Sequence, residues 1–332
     1  MRVKILYYII PLAIFLISSC ETEMYVKESL RDTKIVMNGF VSPDSLISVR
    51  LTESRYFLDG GSDFKICDDA DVFLNINGSR IERLQYKEDG NYLSSVYPIV
   101  GDEIRLEVES DKYNNVSSST YIPAIVPIND LYGDDLDISE YPFIVNFDTE
   151  MGYHLYCGGN MKILFSDPTE ENYYIINCFV RHYYKNGTYR DDYVSWQSSD
   201  PVYLKDSNRD GESYFASYNE FNDKLFNGKN YSLSLEVHYS STIVFDQYWE
   251  LFSDYENYYG QRYIKKGDYL SSELIVELRS ISKDLYNYAN TITYKSLTDD
   301  FFSEPVQIYN NVKGGYGIVA GYSTSSKNIP LE

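Results

Sequence analysis

The sequence predicts a mainly β protein: two β-sandwich domains with one helix in the C-terminal region. Three observations predict it. Short runs that alternate apolar and polar residues follow one another at close spacing from residue 34 onward. Strong turn dipeptides, Asn77-Gly78 and Asp89-Gly90, separate several of them. Tyrosine, which favours strands, is the compositional outlier, with 36 Tyr against 16 Phe and 2 Trp.

Taken in order, residues 1–20 read as a lipoprotein signal peptide. Arg2 and Lys4 form a positive start, Ile5 to Ile17 an apolar stretch, and Ser18-Ser19 supply small residues before Cys20. The expected cut falls before Cys20, whose thiol then carries a diacylglycerol. An ordinary secretory signal is the plainer alternative, and the apolar run is short for a spanning helix. Residues 21–33 are polar and read as a tether.

The first domain is expected over 34–122. Its strands are Ile35 to Val41, Ser48 to Thr52, Val72 to Ile76, Ile81 to Tyr86, Asn91 to Leu93, Ile104 to Val108 and Ser117 to Tyr121. Strands at this spacing, joined by hairpin turns, suit an antiparallel sandwich, and the length is that of an immunoglobulin-like domain. Pro123 to Pro127 is a stiff junction, because proline fixes φ and removes a donor. The second domain, 128–332, has strands at Met161 to Phe165, Tyr173 to Tyr183, Tyr231 to Tyr239 and Glu273 to Ile281. Between 282 and 297 the period changes. Leu285, Tyr288, Ala289 and Ile292 fall at helical spacing, with Ser282 as N-cap and Asp284 in the first turn. Tyr316 to Tyr322 reads as a closing strand.

A net charge of −21 repels phosphate backbones, so nucleic acid is not an expected partner. Beyond Cys20 only Cys67, Cys157 and Cys178 remain, too few for a disulfide scaffold; Cys157 and Cys178 read as buried thiols, with pairing as the alternative. The spacing of Cys157, Cys178 and His182 matches no compact zinc pattern, and no metal or cofactor is expected. There is no nucleophile elbow, no H-E-x-x-H and no phosphate-cradling glycine loop. No catalytic residue is assigned, and the protein is expected not to be an enzyme. Asp206-Ser-Asn-Arg-Asp-Gly211 matches the start of a calcium loop, but Ser217 stands where a bidentate glutamate is needed, so a polar hairpin tip is expected.

The densest aromatic stretch runs from Phe245 to Tyr259. Tyr248, Phe252 and Tyr255 can share one helical face, which suits a core or a partner surface equally. Tyr258 and Tyr259, in the polar run before Gly260, are expected to be exposed partner contacts.

Several stretches, in this order and spacing, resemble the Bacteroidota outer-membrane lipoprotein family DUF4249. They are Ile17-Ser-Ser-Cys20, Ile35-Val-Met-Asn-Gly-Phe40, Ser48-Val-Arg-Leu-Thr52, Asp71-Val-Phe-Leu74, Asp89-Gly-Asn-Tyr92 and Tyr121-Ile-Pro123. Asp223-Lys-Leu-Phe-Asn-Gly228, Glu277-Leu-Arg-Ser-Ile281 with Tyr286, and Gly315-Tyr-Gly-Ile-Val319 complete the set. The resemblance implies two β-domains held at the outer membrane by a lipid on Cys20, and work beside a TonB-dependent transporter barrel or in capture of its cargo. It supplies no catalytic residues. Glu21 and Glu23 loosely fit a cell-surface export signal, with Thr22 interrupting the run. A surface hydrolase acting on glycan or peptide, and a structural adhesin or envelope assembly factor, are the alternatives.

Overall fold

A computed structural model describes residues 33–55, 64–145, 149–203, 219–253, 263–298 and 307–331. The chain is mainly β, with one α-helix among these residues, α1 (Lys283–Thr298). Ser282 Oγ accepts from the Leu285 N–H at 3.3 Å, so the expected N-cap closes the first turn.

The largest sheet contains β1 (Ile35–Val41), β2 (Ser48–Glu53), β5 (Gln85–Tyr86), β6 (Asn91–Leu93), β12 (Tyr173–Tyr184), β13 (Tyr189–Tyr193), β18 (Tyr269–Ile281) and β19 (Tyr316–Pro330). Its order is β13-β12-β18-β19-β1-β2-β6-β5, and β15 (Glu220–Asn222) adds to β12. A four-stranded sheet, in the order β4-β3-β7-β8, uses β3 (Asp71–Ile76), β4 (Ser79–Arg83), β7 (Glu103–Glu109) and β8 (Val116–Tyr121). The third sheet runs β10-β11-β16-β14, from β10 (Asp137–Val145), β11 (Thr149–Ser166), β14 (Ser195–Gln197) and β16 (Asn230–Val244). In it β9 (Ile128–Gly133) pairs with β11, and β17 (Tyr263–Lys265) with β16.

Buried apolar side chains sort into two cores. One joins Met37, Leu51, Leu74, Ile104, Leu106 and Val108. The other joins Phe165, Tyr174, Phe221, Phe226, Leu235 and Val276. The closing strand serves both, and it runs well past the expected end at Tyr322. Residues 316–321 pair in parallel with β1, and 322–330 pair antiparallel with β18. Val319 belongs to the first core and Leu331 to the second. Gly321 lies where the strand passes β8. A Cβ there would run into the Tyr121 carbonyl oxygen, while the Gly321 N–H donates to Thr120 Oγ1 at 2.9 Å.

Two expectations need correcting. The sheets are not purely antiparallel, since β1–β19 and β16–β17 are parallel pairs. A parallel pair needs a long crossover, and here nearly the whole chain intervenes between β1 and β19, out of reach of local turn signals. Nor is Ile81 to Tyr86 one strand. Leu84 is buried and its N–H donates to Val72 O at 2.8 Å, so β4 stays with β3 while β5 crosses to β6. No helix among the described residues is long and apolar enough to cross a membrane.

Candidate binding surface

After β16 the described part of the aromatic stretch is not α-helical, and Tyr255 lies outside the described residues. Asp246–Leu251 is a 3-10 helix with no buried residue, and it closes with the Phe252 N–H bonded to Trp249 O. The frame beneath it is well tied. The Phe245 N–H donates to Met151 O at 2.9 Å and the Lys266 N–H to Val244 O at 2.8 Å. Asp246 Oδ1 accepts from the Gly267 N–H at 2.6 Å, and Lys266 Nζ donates to Tyr153 OH at 2.6 Å.

Phe252 packs against rings that come from other strands. Its centroid lies 5.4 Å from Phe143 on β10 and 5.1 Å from Tyr263 on β17. Phe143 also meets His154 edge-on at 5.1 Å, and Tyr141 meets Tyr156 at 6.2 Å. Strand register explains the gathering. Tyr141 opposes His154, His154 opposes Thr242, and Thr242 opposes Tyr263, so these side chains share one face of the sheet. His154 Nδ1 lies 2.9 Å from Thr242 Oγ1, and burial lowers the His154 pKa, keeping the ring neutral at pH 7. Tyr156 lies over Gly158, where a Cβ would strike its ring. Around this half-buried cluster Tyr141 and Leu251 stand 49% and 57% exposed. Large apolar side chains grouped on a fixed frame are the composition of an interface rather than of ordinary surface.

A second cluster lies inside the aromatic core. His182 is fully buried on β12, with Nδ1 2.6 Å from Ser272 Oγ and Nε2 2.6 Å from Tyr239 OH. Tyr239 OH donates to Asp192 Oδ2 at 3.2 Å, and Tyr269 OH lies 2.9 Å from Ser272 Oγ. Arg190 Nη2 lies 2.9 Å from the same Asp192 oxygen. Burial raises the Asp192 pKa, but His182 and Arg190 outweigh it and hold the carboxyl below its usual range. The residue types are those of a catalytic triad, but the arrangement is inverted. Ser272 is the closed end, 1% exposed, and the carboxylate is the end nearer solvent. A substrate carbonyl has no approach to Ser272 Oγ, so this network ties β12, β13, β16 and β18 together rather than attacking anything.

Cys67, Cys157 and Cys178 are buried and unpaired. Burial pushes the Cys67 and Cys157 thiols up to about 11, which keeps them protonated and unreactive. Among the described residues no group of three or more His, Cys, Asp or Glu side chains is placed to hold a metal. Cys20, Tyr258, Tyr259 and the 206–211 loop lie outside the described residues.

The model of the domain of unknown function DUF4249 matches residues 21–328. The chain belongs to the DUF4249 family. No curated protein matches it. The segments that carry this family's resemblance are structural. In Asp89-Gly-Asn-Tyr92, Asp89 and Gly90 turn with positive φ, and buried Tyr92 donates to Cys67 O at 3.1 Å. In Asp223 to Gly228, buried Asp223 accepts from the Asn172 N–H at 2.7 Å and Asn227 Nδ2 at 3.1 Å. The Gly228 N–H reaches Asp167 Oδ2 at 2.9 Å. The Tyr286 ring lies tilted against Tyr173, with centroids 4.6 Å apart, and its hydroxyl accepts from Asn222 Nδ2 at 2.9 Å. Such residues mark a DUF4249 fold without marking a reaction, and of the described aromatic surface only the portion from Phe245 to Phe252 was legible in the sequence.

Proposed function

We propose that this DUF4249 protein is a non-enzymatic lipoprotein of the outer membrane, tethered through Cys20 and exposed at the cell surface. It serves a TonB-dependent transporter barrel or the capture of that barrel's cargo. In this reading residues 34–122 and 128–332 are two immunoglobulin-like halves, and Tyr258 and Tyr259 extend the partner surface. The observation that carries the proposal is the patch formed by Phe143, Phe252 and Tyr263 with exposed Tyr141 and Leu251. Anchors of this kind dominate binding energy when a partner covers them.

The test is co-purification from detergent-solubilised outer membranes. Tyr141→Asp with Leu251→Asp is expected to abolish capture of a barrel protein while the melting temperature holds. Undiminished capture by that variant removes the patch, and no barrel captured by the wild type removes the transporter role. Cys20→Ala is expected to release the protein from the membrane. Turnover of a glycan or peptide by the purified protein, abolished by one carboxylate substitution, favours the hydrolase alternative.

A further inference from the structure

A groove of about 430 Å³ opens on the outer side of the largest sheet, away from the aromatic patch in sequence and chemistry. Its lining is Ser42, Asp44 and Ser45 from the turn after β1, Glu277 and Arg279 from β18, and Tyr322, Thr324 and Ser326 from β19. Register sets these neighbours. Glu277 opposes Ser326 and Arg279 opposes Thr324, so carboxylate, guanidinium and hydroxyls alternate across two paired strands. Their inward neighbours Leu278 and Ser280 are buried, which directs the polar set outward.

The groove is ordered without a ligand. Arg279 Nε and Nη2 donate to Glu277 Oε2 at 3.1 and 2.8 Å, and the guanidinium lies 5.1 Å from the centre of the Tyr322 ring. Asp44 is fixed by its own turn, with its N–H bonded to Ser42 Oγ at 3.1 Å and its Oδ2 accepting from that hydroxyl at 3.2 Å. Other groups are unused. Asp44 Oδ1, Glu277 Oε1, Arg279 Nη1 and the hydroxyls of Ser45, Thr324 and Ser326 have no partner among the described residues. Donors and acceptors are therefore both on offer, held in place by groups that are already paired.

We propose that this groove binds a neutral saccharide. The volume is that of a small-molecule site. The lining selects among ligand classes by its chemistry. Two carboxylates beside one guanidinium, itself paired to Glu277, oppose an anion. A cation meets the positive charge of Arg279 in the same groove. An apolar ligand finds one aromatic ring and no other apolar side chain. A polyol matches what remains, because each sugar hydroxyl both donates and accepts. Acceptors at Asp44 and Glu277, a donor at Arg279 and amphoteric hydroxyls at Ser45, Thr324 and Ser326 satisfy it without a net charge change.

The full chain, purified in a detergent without a sugar headgroup, is titrated with maltohexaose, xylohexaose, laminarihexaose, soluble mannan and galactan, with heparin as the acidic comparison. At least one neutral glycan is expected to bind, and Arg279→Ala to weaken it about tenfold or more, the loss of one charge-assisted hydrogen bond. Ser326→Trp, at an exposed position, fills the groove and is expected to weaken it at least as far with the melting temperature unchanged. If Arg279→Ala is itself unstable, Ser326→Trp carries the test. The proposal falls if no neutral glycan of the panel binds the wild type, if Ser326→Trp binds like the wild type, or if heparin is preferred.

Discussion

The two cores are built differently. The first, under β1, β2, β3 and β7, is aliphatic apart from Tyr92, whose hydroxyl reaches Cys67 O and the Ala70 N–H at its edge. The second, under β11, β12, β16 and β18, holds an aromatic nest in which Phe165 lies 5.6 Å from both Tyr174 and Phe226. It also encloses polar groups: His182 with Ser272, Asp167 against Tyr174, and Asp200 accepting from Tyr231 OH at 2.5 Å. An aliphatic core needs shape and area alone. A core with buried polar groups also needs every partner present, because an orphaned group costs its full desolvation. The second core should therefore be the one sensitive to pH and to single polar deletions, and it underlies most of the surface proposed for binding.

The largest effect separates the cores least. Phe165→Ala is expected to cost ~3–5 kcal/mol and Leu106→Ala ~2–5 kcal/mol. Because β19 contributes Val319 to one core and Leu331 to the other, both variants should lower one shared transition in calorimetry. Two resolved transitions, each moved by one variant, would show that the cores melt independently.

Next comes His182→Phe, which keeps a ring but takes one hydrogen-bond partner each from Ser272 Oγ and Tyr239 OH, leaving them Tyr269 and Asp192. A loss of about 2–3 kcal/mol is expected by urea unfolding. Unchanged stability would mean the network contributes nothing beyond packing.

Asp192→Asn should cost about 1–3 kcal/mol at neutral pH, with a signature in acid. The folded-state pKa of Asp192 is depressed, so its stabilisation is present above the unfolded value near 3.9 and is lost as pH falls through the lower folded value. The gap between wild type and variant should be full above about pH 5 and shrink as pH drops below about 4. A gap that widens in acid would contradict the assigned direction. The smallest effect is expected outside both cores: Leu251→Ser should change stability by no more than about 0.5 kcal/mol. A drop of several kcal/mol would make Leu251 a packing residue and weaken the interface reading.

Much of the fold was legible because it is local. The 72–76 strand, the Asn77-Gly78 turn and the capped helix after Ser282 depend on residues within a few positions of one another, and alternation alone tells which side of Ile104 to Val108 is buried. The candidate site was legible only in part. The 245–252 aromatics were visible in the sequence, but not that Phe252 packs on Phe143 and Tyr263, which lie on β10 and β17. The sequence weighed His182 only against a zinc pattern with Cys157 and Cys178 and did not link it to Ser272, because 90 positions separate the two and only the β12–β18 register brings them together.

By itself, then, the sequence determined the strand periods, the turns, the helix and its cap, the acidic balance and the signal-like start, all of which follow from short-range geometry and composition. Tertiary structure alone decided that β1 and β19 meet in parallel, that Leu84 splits one run between two sheets, and that Asp44, Glu277 and Arg279 line one groove. Those outcomes rest on strand pairing between residues far apart in sequence, and pairing is chosen by which faces bury one another, a property no single segment carries.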